Sequence, residues 1–565
     1  MKSRAHIYMA NLLMSEVEKN GRVKIGDYNY AVPEKICEVL KKYPEYVRAG
    51  AIGPDFFPDL IMGQVDIHTK NSGKFLELMY EELTTMRQGA AYDQAFAFYI
   101  GFTMHYACDM FSHYYINEYS GGYFPDIASI IKIKLPLVEV DAQKLGIILR
   151  HITIESYMDK KVAGDEKDFK IKIPTNYLMR CFGTKEAWDK IKAKGIATNS
   201  NYQFLRIMVD EYSKALKSDK NVDSRKSQEL QERIQVWMTE WQKFAQANVL
   251  GKKFNVDKIV DILRRVPSND AAIQLIQFIL FIYQFEHSPA PVIIDILTGS
   301  YLNPITWVEK GMELAFYKAL LQIMYNQTGE EHDIPNTING CKKELHTIIF
   351  RYVTEPEKIL NESKLFESLR KKTKSNKLTD YFDSEWVNFG KAASCQVQKF
   401  KTFRQCLNMG KLCLVGNNNL VKIANEYGAK DYSDVFKDGV FSVQVSKISV
   451  CIKVANKAGA GTNRDVHLTV IEKNSAKNKY YLDSKDNDFV VGHEKTYVIN
   501  LKKKIGINDF KQFKLGVDFS TNTPKFVIDK IVIKDVDSGV TLASVIKETA
   551  IKKDSPLLIA AKTIQ

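Results

Sequence analysis

Residues Phe98–Tyr115 read FYIGFTMHYACDMFSHYY. The run is so rich in apolar and aromatic residues that, coiled as a helix, it is buried on almost every side. Into it the sequence sets His105, Asp109 and His113 at intervals of four, and 3.6 residues per turn put these three on one face, a turn apart. A carboxylate withdrawn from water needs partners, and a divalent cation satisfies several polar groups at once. His151 and Glu155, in RHITIES, repeat the i, i+4 device. One such pair alone is more often a satisfied core histidine beside a capped carboxylate; two groups together favour a metal. His6 in AHIYMA, Asp55 and Asp59 in GAIGPDFFPD, and His68 after GQVDI are further candidates, and five of the ten histidines fall in the first 155 residues. Nitrogen and oxygen ligands without thiolate suit zinc in a hydrolytic site, where a position stays open for water.

The rest of the chain frames this centre. With 565 residues, several domains are expected, and the apolar fraction is ample for packed cores. The formal charge of +13 is spread over Lys371–Lys372, Lys502–Lys504 and Lys552–Lys553 among others; it suits an anionic surface, and ordinary solvated faces account for it equally well. Eight cysteines with no CxxC spacing are expected as reduced, mostly buried thiols. The start MKSRAHIYMANLLM shows no signal peptide, and Ala271–Phe285 is too short and too rich in glutamine to cross a membrane. The location expected by default is cytoplasmic, with secretion by another route open.

Apolar residues recur at helical spacing up to about residue 435, as in the core stripe Leu230, Ile234, Trp237, Trp241 and Phe244. After about 440 the period becomes two: Ile448, Val450, Ile452 and Val454; Tyr497, Ile499 and Leu501; Phe513, Leu515, Val517 and Phe519. Val415–Asp438 has the composition of a connection. The expected architecture is multidomain: a mostly α-helical domain with a long helical extension, then a C-terminal antiparallel β-sandwich. Its bounds are 1–160 for a catalytic core, 161–435 for the extension (with a loop at Pro289, Pro291 and Pro304 near Trp307), 440–547 for the sandwich and 548–565 for a tail.

The first 160 residues resemble the zinc-dependent phospholipases C, a family that includes the clostridial alpha-toxins and the small Bacillus phosphatidylcholine hydrolases. AHIYMA is similar to that family's THA near the start, the GPD holding Asp55 to its YPD turn, MHYACD to its MHYxGD, and His151–Glu155 to its closing HxxxE. The resemblance implies two or three zinc ions: one on Asp55, His68, His105 and Asp109, a second on His113, His151 and Glu155, and Asp109 bridging to a third held by His6. It also implies a zinc-dependent phosphodiester hydrolase acting on phospholipids, with Asp55 orienting or deprotonating the attacking water. In the secreted members an N-terminal tryptophan completes the third site, where this chain has MKSRA. His113 follows Asp109 more closely than in the toxins, and a longer stretch containing SGGYFPD precedes His151; a reshaped substrate entrance is expected. No GxSxG elbow or P-loop offers a protein nucleophile or phosphate cradle.

A second resemblance is to the PLAT domain, a lipid-facing β-sandwich. It rests on AGTNRD (460–465), DSKDNDFVVG (483–492) and the strands KTYVINL and FVIDKIVI. Calcium favours several oxygen ligands, and Gly461, Thr462, Asp483, Ser484, Asp486 and Asp488 are the candidates. A second family calcium site has Gly459 and Pro524 where acidic ligands are expected, so calcium dependence is expected to be weak or lost. Phe489, Val490 and Val491 are candidates either for touching a bilayer or for burial. The implied partners are a phospholipid substrate and a membrane surface met through the C-terminal domain, with no nucleic acid. The alternatives are a zinc nuclease or nucleotidase of the same fold, and a non-catalytic lipid-binding protein with a structural zinc site.

Overall fold

The computed structural model describes residues 3–25, 28–57, 63, 66–68, 71–125, 131–134, 137–162, 166–196, 223–249, 310–329, 332–386, 407, 410–411, 413–415, 444–482, 488–507, 509–519, 526–536 and 540–562. The chain divides into two compact units: Met1–Ser15 with Glu38–Gly410 and Tyr427–Gly439, and Glu16–Cys37 with Lys411–Glu426 and Val440–Gln565.

The first unit is helical. Its helices are α1 (Ser3–Asn20, which runs on past residue 15), α2 (Glu34–Lys42), α3 (Pro44–Ile52), α4 (Ser72–Thr84), α5 (Ala90–Ser120), α6 (Ala142–Val162), α7 (Thr175–Phe182), α8 (Lys185–Ala193), α9 (Asp223–Val249), α10 (Lys310–Thr328), α11 (Ile338–Thr354), α12 (Pro356–Glu362), α13 (Glu367–Thr373) and α14 (Leu378–Trp386). The 31-residue α5 is its axis. Gly121 ends it in the left-handed region at φ 85°, and the N–H groups of Gly121 and Gly122 both donate to Asn117 O. Within α5, Gly101 lies so close to α3 that an added Cβ would stand 2.0 Å from Val47 O, and Gly50 of α3 would meet Phe98 O at the same distance. A glycine in mid-helix ordinarily costs stability; here two of them permit backbone-to-backbone approach.

The helices beyond residue 160 join the same unit. In α9, Gln246 accepts from Ile171 N at 2.8 Å and donates to Phe169 O at 3.1 Å. Trp237 and Trp241 are buried and stacked at 5.5 Å, while the side chains of Leu230, Ile234 and Phe244 lie outside the described residues, as do Ala271–Phe285, the prolines near Trp307 and the connection after Val415. On α14, Tyr381 and Phe382 pack against Tyr119 of α5, and the hydroxyls of Tyr119 and Tyr381 are 2.8 Å apart.

Two antiparallel hairpins interrupt a stretch expected to be helical, β1 (Arg22–Ile25) with β2 (Tyr28–Ala31) and β3 (Ile131–Lys134) with β4 (Leu137–Val140). The first belongs to the second unit, where Tyr30 Oη accepts the N–H of Thr541 at 2.8 Å. From Gln444 onward that unit is a sandwich of two four-stranded sheets, ordered β11–β10–β5–β8 and β12–β9–β6–β7. Its strands are β5 (Gln444–Val454), β6 (Val466–Glu472), β7 (Lys477–Tyr481), β8 (Glu494–Gly506), β9 (Phe510–Val517), β10 (Phe526–Asp535), β11 (Thr541–Ile551) and β12 (Leu557–Ala560). The period-two residues Ile448, Val450, Ile452, Tyr497, Ile499, Phe513 and Leu515 are buried.

One expectation is corrected here, and one open alternative is decided. The stretch 548–565 is not a plain tail: β11 continues to Ile551, and β12 pairs with β9 through Ile559 opposite Phe513, because Ile551 and Ile559 are buried with the core. Of the two places open to Phe489, the structure shows burial: the ring is stacked on Tyr497 at 5.5 Å and edge-on to Phe526 at 5.3 Å. Val490 and Val491 are partly buried. Six cysteines lie among the described residues, and four of them are buried. No described helix is long and apolar enough to cross a membrane.

Candidate metal centre

His105, Asp109 and His113 line one face of α5, and their neighbours are delivered by four other segments. The α1 helix supplies His6, α6 supplies His151 and Glu155, a 3-10 turn over Gly53–Phe56 supplies Asp55, and a turn at Ile67–His68 supplies His68. Gly53 lets the chain leave α3 at φ 63°, in the left-handed region that L side chains avoid. A Cβ there would also lie 2.4 Å from the His105 ring, so this glycine makes room for the histidine as well as for the bend.

The eight ligands that the resemblance implies meet in one buried cluster. Four triads bring one nitrogen or oxygen each to within 4.8 Å of one another: His6, His105 and Asp109; Asp55, His68 and His105; His68, Asp109 and His113; His113, His151 and Glu155. Asp109, fully buried, is their hub. Its Oδ1 lies 3.3 Å from His6 Nε2 and 3.2 Å from His113 Nε2, and its Oδ2 lies 3.0 Å from His68 Nε2. Glu155 Oε1 is shared by His113 at 3.4 Å and His151 at 3.3 Å. Asp55 Oδ1 approaches His68 Nε2 at 3.7 Å, and at 13 % side-chain exposure it is the least enclosed carboxylate of the set. Asp59, the other candidate of that segment, lies outside the described residues.

The donor set fits a cation. A carbonyl only accepts, so the 3.0 Å contact of His105 Nδ1 with Ala51 O places the ring proton on Nδ1. That leaves a lone pair on buried Nε2, which has no hydrogen-bond partner. An imidazole fixed by a second hydrogen bond is the usual state of a metal ligand. Nδ1 of His6 and Nδ1 of His151 are likewise buried without hydrogen-bond partners. Such orphaned atoms are costly unless something absent from the chain satisfies them.

Protonation follows the same logic. Burial pushes His6 down to about 4 and holds His105 and His151 below the usual imidazole range, which keeps their lone pairs free. Burial opposes ionisation of Asp109 and Glu155, but the positive charge and hydrogen-bond donors around them prevail and both carboxyls stay well below their ordinary values. His113 is likewise opposed by burial, yet Asp109 pushes it up. A cation held by these donors would compete with the proton on His113.

Two supporting groups escaped the sequence reading. Asp159 accepts the N–H of Ala5 at 2.7 Å, buried at the first turn of α1, so α6 fixes the helix end that carries His6. The signal was present: Asp159 stands one more turn along the face of His151 and Glu155. Ala51 O, which orients His105, left no trace, since a backbone carbonyl has no sequence.

The calcium candidates divide differently. Gly461, Thr462 and Asp488 are described, whereas Asp483, Ser484 and Asp486, like Pro524, lie outside the described residues. Thr462 bridges to Phe489 and its hydroxyl accepts the N–H of Arg464 at 3.1 Å. The buried carboxylate of Asp488 accepts a hydrogen bond from the Lys495 ammonium.

Comparison with known proteins agrees with both halves. Residues 5–243 match the family described as zinc dependent phospholipase C, and residues 448–554 match the PLAT/LH2 domain. A phospholipase C of Clostridium haemolyticum is 37% identical over 67 residues, which are 12% of this chain and 17% of that protein. The chain thus spans under a fifth of the length of the curated relative it matches. Among solved structures, the alpha-toxin of an avian Clostridium perfringens strain is 12% identical, with 99% of this chain and 98% of that one covered at a TM-score of 0.20. The alpha toxin of Clostridium absonum has the same identity and coverage at 0.21. By its two matched regions, the chain joins an N-terminal domain of the zinc dependent phospholipase C family to a C-terminal PLAT/LH2 domain.

Proposed function

We propose that this chain is a zinc-dependent phospholipase C, a phosphoric diester hydrolase that releases diacylglycerol and a phosphorylated headgroup. The observation that carries the reading is the buried cluster of eight nitrogen and oxygen donors around Asp109, within a region that matches the zinc dependent phospholipase C family. Asp55, His68, His105 and Asp109 would hold one zinc, His113, His151 and Glu155 a second, and His6 with Asp109 a third. Zinc so held supplies a water of lowered pKa and positive charge against the phosphoryl oxygens. The protein's own part is to place these donors rigidly and to keep His6, His105 and His151 neutral. Asp55, the least enclosed carboxylate of the set, would take the proton of the attacking water as its oxygen adds to phosphorus, and that proton would pass to the diacylglycerol oxygen as its bond to phosphorus breaks. The nuclease alternative is not favoured, since the chain carries a PLAT/LH2 match beside the phospholipase one.

Protein prepared without chelator is expected to contain at least two zinc ions per chain by metal analysis, and to hydrolyse phosphatidylcholine or a soluble phosphodiester analogue. Less than one zinc per chain, with no activity gained on adding zinc, would remove the catalytic reading.

For the PLAT-like unit the proposed partner is a phospholipid surface, with calcium a weak ligand at most. The reason is Lys495, whose ammonium already occupies the Asp488 carboxylate. Replacing it, as in Lys495→Met, is expected to strengthen calcium binding by about tenfold in a calorimetric titration, because freeing one charged oxygen ligand is worth 1–2 kcal/mol. An unchanged calcium affinity would show that Asp488 is not a ligand.

A further inference from the structure

The outer face of the β11–β10–β5–β8 sheet is remote in chemistry from the metal centre, and its composition is unusual for a solvated surface. Inward positions of β5 fill the core, so alternate residues look out. The register aligns Ile546, Lys530, Lys453 and Glu494 across the four strands. The next row is Ser544, Val532, Cys451 and Thr496; then come Lys534, Ser449 and Val498, and last Lys447 beside Asn500. These rows set Lys447, Lys453, Lys530 and Lys534 against one carboxylate, Glu494, which accepts from Lys530 Nζ at 2.7 Å. Lys530 and Lys453 stand directly opposite each other, an arrangement that destabilises a sheet left facing water. On the two outer strands, Val498 is 63% and Ile546 71% exposed, about 14 Å apart across the strands and two rows apart along them. Single exposed aliphatic residues are ordinary; a pair bracketing a field of like charge is a combination that one kind of partner matches on both counts.

We propose that this face docks on an anionic phospholipid bilayer without calcium, its lysines meeting headgroup phosphates and carboxylates while Val498 and Ile546 enter the interface. The phospholipid reading above is used only to choose the occupant. A nucleic-acid backbone offers the lysines the same anions but gives the two aliphatic side chains nothing to enter, whereas a bilayer interface receives both.

The test is co-sedimentation of the full chain in zinc-containing, calcium-free buffer with vesicles of phosphatidylcholine, alone or mixed with phosphatidylserine, at contact times too short for turnover. Wild-type protein should prefer the mixed vesicles, and the preference should fade with salt. Each lysine near such a surface tightens binding roughly fivefold, so Lys453→Gln with Lys530→Gln should weaken it about twentyfold on mixed vesicles. Lys447→Gln with Lys534→Gln, an independent pair on the same face, should do the same. Val498→Ser with Ile546→Ser should weaken binding to both vesicle types, and Lys371→Gln with Lys372→Gln on α13 should change neither. Equal wild-type affinity for the two vesicle types, or lysine variants that bind like wild type, would overturn the proposal. So would lysine-dependent binding to duplex DNA in place of vesicles, or a lower sedimentation mass of lipid-free Val498→Ser/Ile546→Ser protein, which would mark an interface between copies. Hydrolysis of a soluble phosphodiester should be unchanged in every variant; wild-type protein that binds mixed vesicles but hydrolyses nothing would fault the catalytic reading and leave the docking face standing.

Discussion

Asp109→Asn is expected to lose bound zinc and to lower phosphodiesterase activity by several orders of magnitude. The substitution keeps the shape of the side chain and most of its hydrogen bonding while removing the charge that three imidazoles face at 3.0–3.3 Å. Were Asp109 a structural polar residue, the loss would be one of stability alone, on the order of 1–3 kcal/mol. As the hub of two triads, and with oxygens directed to His6 and His113 on one side and His68 on the other, it has more to lose. Metal analysis and an activity assay on the purified variant separate the two roles. Asn11→Ala is the matching control: its side chain accepts from Arg48 Nε at 2.8 Å and donates to Asp168 O at 3.1 Å, so that variant should melt earlier yet keep zinc. Zinc and activity both retained in Asp109→Asn would mean that the bridging assignment is wrong.

Gly101→Ala should destabilise the helical unit by about 3 kcal/mol or more, the upper range for forcing an atom into a packed interior. On an isolated helix the same change adds stability, by roughly 1 kcal/mol, so even the sign is diagnostic. The new methyl would stand 2.0 Å from Val47 O and 2.9 Å from Ala51 N, both backbone atoms with no rotamer to turn away. Pushing α3 from α5 also moves Ala51, whose carbonyl holds the His105 ring. Zinc content should therefore fall together with the melting temperature. A variant that melts at or above the wild-type temperature would show that α3 and α5 do not pack as closely as described.

The sequence by itself determined the parts of this protein that depend on local period. Intervals of four within an apolar helix were enough to place His105, Asp109 and His113 on one buried face, and His151 with Glu155 on another, because the α-helical repeat turns spacing directly into direction. Alternation after residue 440 likewise separated core from surface along β5, β8 and β9. Tertiary structure alone decided what has no period. Asp55 and His68 sit in irregular turns, and no local rule says that these reach α5; the resemblance named them, and the fold brings Asp55 there through Gly53 and the close passage of α3. The tautomer of His105 depends on a carbonyl 54 residues away in sequence. Phe489 had equal claims to the surface and the core until Tyr497 and Phe526 were seen to enclose it. The strand at Leu557–Ala560 was missed because four residues are too few to display an alternation, and only its pairing with β9 makes it a strand. Likewise, the opposed lysines of β5 and β10 are far apart in the chain, and strand register, a long-range property, is what sets them side by side.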